Sequence, residues 1–281
     1  MNLTVRFDVD TWSCAHRGIP FLLDYAGQIG ARFYFMVNMG RAVSRVMFLR
    51  NIMRGSNAAE TTSKRIEKLG SLRRLGVDGY LHTAVLNPQV GRTAGHILRQ
   101  AQRTGHVLGL HGGRNHGEWQ WGAHGWSAAR LRAEIGWGLA AFEQAGLERP
   151  SGFSSPGWNS PAQLPDVLIE QGFEALYDSH RSDELLDASL RLRGLHDINT
   201  AFAGEPGGVG YFENCLVRGI DAAAAAEHIV SILRSRPNAH GVVYDHPVFC
   251  EGVGQELFRA TLDAVKLRGV NLMAPIFGSV A

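Results

Sequence analysis

Cysteine is scarce. Cys14, Cys215 and Cys250 are the only three in 281 residues, an odd number at wide spacing, and no CxxC pair occurs. That argues against a disulfide framework and against a cysteine-built zinc site, so any metal centre has to be assembled from Asp, Glu and His. A run of about 18 apolar residues is also missing, and with it the signature of a membrane-spanning helix. No charged n-region with an apolar stretch behind it precedes the first strand-like segment, so we expect no signal peptide and a cytoplasmic location. Charge of one sign is not in excess either. The formal net charge is +2, which gives no global signature of nucleic-acid binding, and no nucleic-acid partner is expected. No internal repeat stands out, and the alanine run 222–226 is simply a good helix former.

What is present is a regular alternation. With 45% hydrophobic residues the composition is that of an ordinary globular protein. "TVRFDV", "ARFYFMV", "HVLGLHG", "SGFSSPG", "FEALYDS", "LHDINTAF", "HGVVYDH" and "VNLMAPI" read as short strands. Between many of them lie helical patterns. "RGIPFLLDYAGQIG" stops at Gly30, and "SAARLRAEIGWGLAAFEQAG" has Ser127 as N-cap and Gly146 as its stop. Strands alternating with helices predict parallel βαβ units in one sheet. Seven or eight such units suggest an irregular or incompletely closed (β/α) barrel, in one catalytic domain spanning residues 1–281.

One segment breaks the rhythm, and we read it as a basic helical insertion over about 41–90. Between Arg41 and Arg74 nine basic side chains face two acidic ones, Glu60 and Glu67, a local charge of +7. "RAVSRVMFLRNIMR" interleaves apolar residues at helical spacing with arginines. It reads either as a solvated helix or as a basic amphipathic helix that meets an anionic lipid or phosphate.

The chemically able residues collect at strand ends. Asp8 and Asp10 close the first strand, and His111 closes "HVLGLH" with His116 behind it. Pro156, Gly157 and Trp158 follow "GFSS", Asp178 and His180 end "ALYDS", and Asp245 and His246 end "GVVYDH". In a β/α barrel all carboxyl ends of the strands share one face, where active sites form. Residues i and i+2 of a strand point to the same side, so Asp8 and Asp10 repel each other there unless a cation relieves them. One carboxylate can then ligate a metal while the other stays free as a base. Two solvated loop acids, or Asp10 as a helix N-cap, are the plainer readings. Neutral imidazoles at 111 and 116 with one carboxylate make a common site for zinc and related ions. His246, after an apolar strand, is placed to donate a proton to a leaving group.

These residues resemble the polysaccharide deacetylase family, the NodB-homology group or carbohydrate esterase family four. "FDVD" is similar to its first motif, "HGGRNH" to its second and "VVYDHP" to its last. The resemblance implies an irregular barrel of the NodB-homology type and hydrolysis of an amide on an amino sugar. It assigns Asp8 as base, Asp10, His111 and His116 as ligands of one divalent ion, zinc being the expected metal, and His246 as acid. Gly157 and Trp158 are expected at the substrate and oxyanion. Within the family the group acting on lipid-linked 4-deoxy-4-formamido-L-arabinose is the most similar, through "RFDVDT", "RGIPFLL", "NMGR", "MRGSNAA", "VLGLH", "WQ", "GW" and "VVYDH" followed by "EG" in the same order. That implies a formamido sugar on a polyprenyl phosphate, and peripheral contact with the inner membrane face through the basic insertion.

Three departures from the family pattern matter. The second motif is normally H-x3-H, but Asn115 stands at that spacing and His116 one residue later; an imidazole is the better transition-metal ligand. "FSSPGW" offers no arginine to orient the base, and Arg17 or Arg114 are the substitutes the sequence suggests. "YDSHRSDE" offers Asp178 or Asp183 as the acid that supports His246.

Overall fold

In the first strand, β1 (Asn2–Val9), side chains alternate strictly. Leu3, Val5, Phe7 and Val9 are fully buried in the main apolar core, while Thr4, Arg6 and Asp8 are buried on the other side. A strand with both faces covered is expected in a barrel ringed by helices, where one face meets the helices and the other the lumen. The computed structural model describes residues 1–44, 71–179, 193–200, 210–236 and 239–275.

β1 belongs to an all-parallel sheet and pairs with three of its strands. With β2 (Tyr34–Val37), β3 (Val107–His111), β4 (Gly152–Ser154), β5 (Ala175–Ser179), β6 (His196–Asn199) and β7 (His240–Asp245) it runs in the order β6-β5-β4-β3-β2-β1-β7. The two-residue β8 (Asn271–Leu272) pairs with the start of β1. Among the described residues nothing pairs β6 with β7, so the barrel is nearly closed, with one open seam. Each strand read from the sequence is found, β4 with only three residues and β8 with two, and seven strands form the wall; the stretch between β5 and β6 lies largely outside the described residues.

The helices lie outside. α1 (Ile19–Ile29) ends at Gly30, whose φ of 64° is the left-handed stop that glycine adopts without a Cβ penalty. α2 (Ser71–Leu81) is broken at Gly76, and α3 (Gly95–Arg103) precedes β3. α4 (His116–Gly122) and α5 (Ala128–Gln144) follow β3, and Ser127 caps α5 by accepting from Arg130 N, as its sequence predicts. α6 (Leu164–Glu170), α7 (Tyr211–Val217), α8 (Ala222–Ser235), α9 (Pro247–Glu251) and α10 (Gln255–Leu267) complete the layer. α4, α7 and α9 have no periodic apolar signature; they are short helices at the mouth of the barrel.

The lumen has its own small core of Tyr34, Met36, Ala175, Tyr177 and Val242. Two glycines make room for it. A Cβ at Gly152 would collide with the Tyr34 hydroxyl, and one at Gly109 with Met36 and Tyr34. These two inward positions on β3 and β4 stay empty so that the Tyr34 ring can cross the floor of the barrel.

Most of the basic segment lies outside the described residues, including the arginines from Arg45 to Arg74 in their side-chain detail. Described are residues 41–44, α2, and a π-helical turn, His82–Leu86, whose His82 ring stacks on Trp12 just beyond β1. No described helix is long and apolar enough to cross a membrane.

Candidate metal centre

Asp10 continues the lumen-facing series of β1 past its end. Its carboxylate is met by three imidazoles from two other strand ends. His111 Nε2 lies 3.2 Å and His116 Nε2 3.4 Å from Asp10 Oδ1, and His246 Nε2 lies 3.4 Å from Oδ2. The donor atoms of Asp10, His111 and His116 all lie within 4.8 Å of one another. His111 is 2%, His246 7% and His116 9% exposed, whereas the Asp10 side chain is 20% exposed. Solvent therefore reaches this cluster from the side of Asp10.

The arrangement fits a divalent cation. Ligands about 2.0–2.2 Å from a tetrahedral ion stand about 3.3–3.5 Å apart, close to the separations found here. Asp10 Oδ1 is buried without a well-directed hydrogen bond despite two nitrogens at that range. A cation held between these atoms would satisfy that oxygen. One carboxylate with two imidazoles is also a donor set suited to zinc and similar ions. His111 Nδ1 lies 2.6 Å from Ser154 Oγ on β4, a contact that leaves Nε2 to face the cluster.

Asn115 does not share the cluster. It is the N-cap of α4, where its Oδ1 accepts from Glu118 N at 2.9 Å and its Nδ2 donates to Val43 O at 3.3 Å. The backbone N–H of His116 donates to Arg41 O at 2.8 Å. These bonds engage the Asn115 amide in capping α4, while the His116 ring lies beside Asp10 and His111.

Electrostatics follow from this crowding. Burial works against ionisation of Asp10. The electrostatic pull of the His116 ring and the hydrogen bonds from His111, His116 and His246 outweigh it and hold the carboxyl well below the ordinary range. Burial likewise disfavours a charged His111, but the negative charges of Asp8 and Asp10 prevail and raise its pKa.

Asp8 is buried and held by Arg6, two residues earlier on the same face of β1. Arg6 Nε donates to Oδ1 at 2.9 Å, and Nη2 donates to Oδ1 at 2.6 Å and to Oδ2 at 2.7 Å. Arg6 is 1% exposed. Sequence reasoning missed it, although "RFDVD" places it in line with both carboxylates. Arg17, expected to orient the base, instead forms a two-pronged surface pair with Glu251, because its helical turn points away from the lumen. Arg114 pairs with Glu134.

Asp178 is likewise engaged elsewhere. It accepts from Ser155 N at 2.8 Å and from the Ser160 hydroxyl, and so fixes the loop after β4. Besides Asp10, the acids beside His246 among the described residues are Asp245 and Glu213. Asp245 Oδ1 lies 3.9 Å from His246 Nδ1, and donor atoms of all three residues fall within 4.8 Å. Asp245 also accepts from Phe212 N, Glu213 N and His246 N, which ties the first turn of α7 to the end of β7. Glu213 lies in no motif, and nothing in its local sequence signals it. Asp183 lies outside the described residues.

Gly157 and Trp158 sit at the rim with φ of 62° and 59°. That conformation is rare for a bulky residue, and here it brings the Trp158 indole over the Arg6 guanidinium at 5.2 Å. Trp158 N already donates to Ser155 O at 3.0 Å. In the "NMGR" stretch, Asn38 is fully buried. It donates to Asp10 O at 3.0 Å and accepts from Gly40 N, so it steadies the loop that carries Asp10.

No protein-family model matches this chain. A probable 4-deoxy-4-formamido-L-arabinose-phosphoundecaprenol deformylase, ArnD, of Shewanella sediminis is 33% identical over 139 residues. The match covers 47% of this chain, and the chain spans about two fifths (41%) of that relative's length. A family 4 carbohydrate esterase from Streptomyces lividans, solved with acetate, superposes with a TM-score of 0.54 at 12% identity, over 98% of this chain and 92% of the other. The Puue allantoinase superposes at 0.59 and 8% identity, over 97% and 86%. The chain has the fold of the family-four carbohydrate esterases and polysaccharide deacetylases.

Proposed function

We propose that this chain is a metal-dependent amide hydrolase that removes a formyl group from an amino sugar, with a sugar carried on a lipid phosphate as the favoured substrate. The observation that carries this reading is the meeting of Asp10, His111 and His116 beside a clamped carboxylate, Asp8, and a third imidazole, His246. Asp10, His111 and His116 would hold a divalent ion, zinc by the donor chemistry, which would polarise the amide carbonyl and acidify water near it.

The chain's own groups divide the remaining work. Asp8 takes the proton from the attacking water; its Oδ2 accepts a single N–H from Arg6 and keeps lone-pair capacity for that bond. His246 Nε2 delivers a proton to the departing amine, with Asp245 and Glu213 behind its ring. Because Trp158 N is engaged by Ser155 O, Gly157 N–H is the donor assigned to the developing oxyanion.

Two features support the lipid-linked substrate. The Shewanella relative's name is that of a phosphoundecaprenol-sugar deformylase. In addition, Val77, Tyr80, Leu81, Val85 and Leu86 are 42–68% exposed within ten residues at the barrel mouth, directly after the +7 segment. The Trp12 ring is stacked between His16 at 4.4 Å and His82 at 4.0 Å, which pins this stretch close to Asp10. An apolar stripe beside basic residues suits the boundary of an anionic membrane.

The test is product identity on a panel of formamido and acetamido sugars, free and lipid-phosphate-linked, with cation added. Formate release from the lipid-linked formamido sugar, lost in Asp8→Asn by about 10²–10⁴-fold, is the expected result. Acetate release instead would make the chain a deacetylase, and no release from any member would refute the hydrolase reading.

A further inference from the structure

Arg6, Asp8 and Asp10 occupy successive positions on one face of β1 and just past its end. Two carboxylates so placed at the mouth of a lumen are both within the attraction of any cation that binds there. Left free of a partner, the Asp8 carboxylate, on the same face as Asp10, could turn towards that cation as a further protein ligand. The structure gives it another partner. Three N–H···O contacts of 2.6–2.9 Å engage both Asp8 oxygens, and the remaining edge of the guanidinium is committed by Nη1, which donates to Tyr177 O at 2.7 Å. Arg6 cannot swing away, because its guanidinium lies 5.2 Å from the Trp158 ring, 5.6 Å from Tyr244 and 5.9 Å from Tyr177. A two-pronged pair among aromatic walls has one geometry and excludes competing water.

We infer that Arg6 is the positioning residue that sorts the two carboxylates. It neutralises Asp8 and holds it out of the cation's coordination sphere, so that Asp10 alone ligates and Asp8 remains available as a base. An arginine from the same strand thereby fills the place left by the loop "FSSPGW", which carries none. The inference rests on the metal centre and deepens the hydrolase reading, but its test does not depend on turnover.

The experiment loads the full chain with Co²⁺ and compares visible spectra and Co²⁺ affinity for wild type, Arg6→Gln, Asp8→Asn and the double variant. In Arg6→Gln, Asp8 is released towards the ion. The expected result is a spectrum of higher coordination number with weaker absorption, and binding tightened about tenfold by the added carboxylate. The double variant returns both readouts to the wild-type values, because the residue that intrudes has been removed. A wild-type spectrum and affinity in folded Arg6→Gln would overturn the inference. If Arg6→Gln does not fold, Arg6→Lys keeps the charge but not the fork. A spectrum shifted part-way supports the inference, and an unshifted one overturns it. Turnover on the sugar panel is read in parallel: its absence in wild type refutes the hydrolase reading and leaves the Co²⁺ comparison standing. Where wild type turns over, kcat in Arg6→Gln falls about 10²–10⁴-fold with little change in KM, and the double variant falls no further.

Discussion

Replacing either Asn115 or His116 by alanine separates two adjacent residues with opposite duties. Asn115 Oδ1 accepts from Glu118 N at 2.9 Å as the N-cap of α4. Losing such a cap costs about 1–2 kcal/mol. At an unfolding entropy of about 2.1 cal/mol/K per residue, that lowers the Tm of a chain of this size by about 2–3 °C. His116 is buried, with its Nε2 3.4 Å from Asp10 Oδ1, and its loss removes one of the three proposed ligands. The penalty in cation affinity then exceeds the roughly 10–100-fold that follows loss of a mere outer-shell partner. The readout is elemental analysis with thermal unfolding, with and without added Zn²⁺. At a cation concentration of about 100 Kd, wild type gains about 2.7 kcal/mol, or about 5 °C in Tm. Asn115→Ala starts lower and gains the same increment; His116→Ala gains almost none and purifies without metal. Retention of metal by His116→Ala together with its loss from Asn115→Ala would refute the assignment and place the ligand at the shorter spacing.

Ser154→Ala removes the hydroxyl 2.6 Å from His111 Nδ1; cation affinity should fall about 10–100-fold with the fold intact, and calorimetric titration reads it. Gly152→Ala drives a methyl onto the Tyr34 hydroxyl, with an expected loss of about 1–3 kcal/mol in chemical denaturation that Tyr34→Phe in the same chain partly restores. His106 is buried against protonation, reinforced by Arg32, with its pKa lowered from 6.5 to about 4. Because the unfolded chain binds this proton first, stability falls as pH drops from about 6.5 towards 4. His106→Gln should flatten that part of the curve measured on metal-free protein, and an unchanged slope would exclude His106 as its source.

The sequence by itself determined much of the plan. Alternation in "LTVRFDV" fixes which side chains of β1 face the helices and which the lumen, because a strand has a period of two. The capping residues Ser127 and Gly30 mark helix ends through local backbone chemistry. Asp8, Asp10, His111, His116 and His246 were legible as a group because all carboxyl ends of parallel strands share one face. The pairing of Arg6 with Asp8 was also within reach, since both lie on one side of the same strand, but an arginine in an apolar run reads as ordinary until its partner is known.

Only the tertiary structure decided the contacts between strand ends. Whether Asn115 or His116 faces the cluster depends on the bond from His116 N to Arg41 O, made by a chain segment seventy-five residues away. That Glu213 stands beside His246, while Asp178 serves Ser155 and Ser160, follows from where α7 and the β4 loop pack. Arg17 meets Glu251 because α9 lies against the turn that carries it. The aromatic walls around Arg6 come from three different elements, the rim turn at Trp158 and strands β5 and β7. Such neighbours are set by sheet order and helix packing, which act across the whole chain, whereas periodicity, capping and strand-end placement act within a few residues and can be read directly.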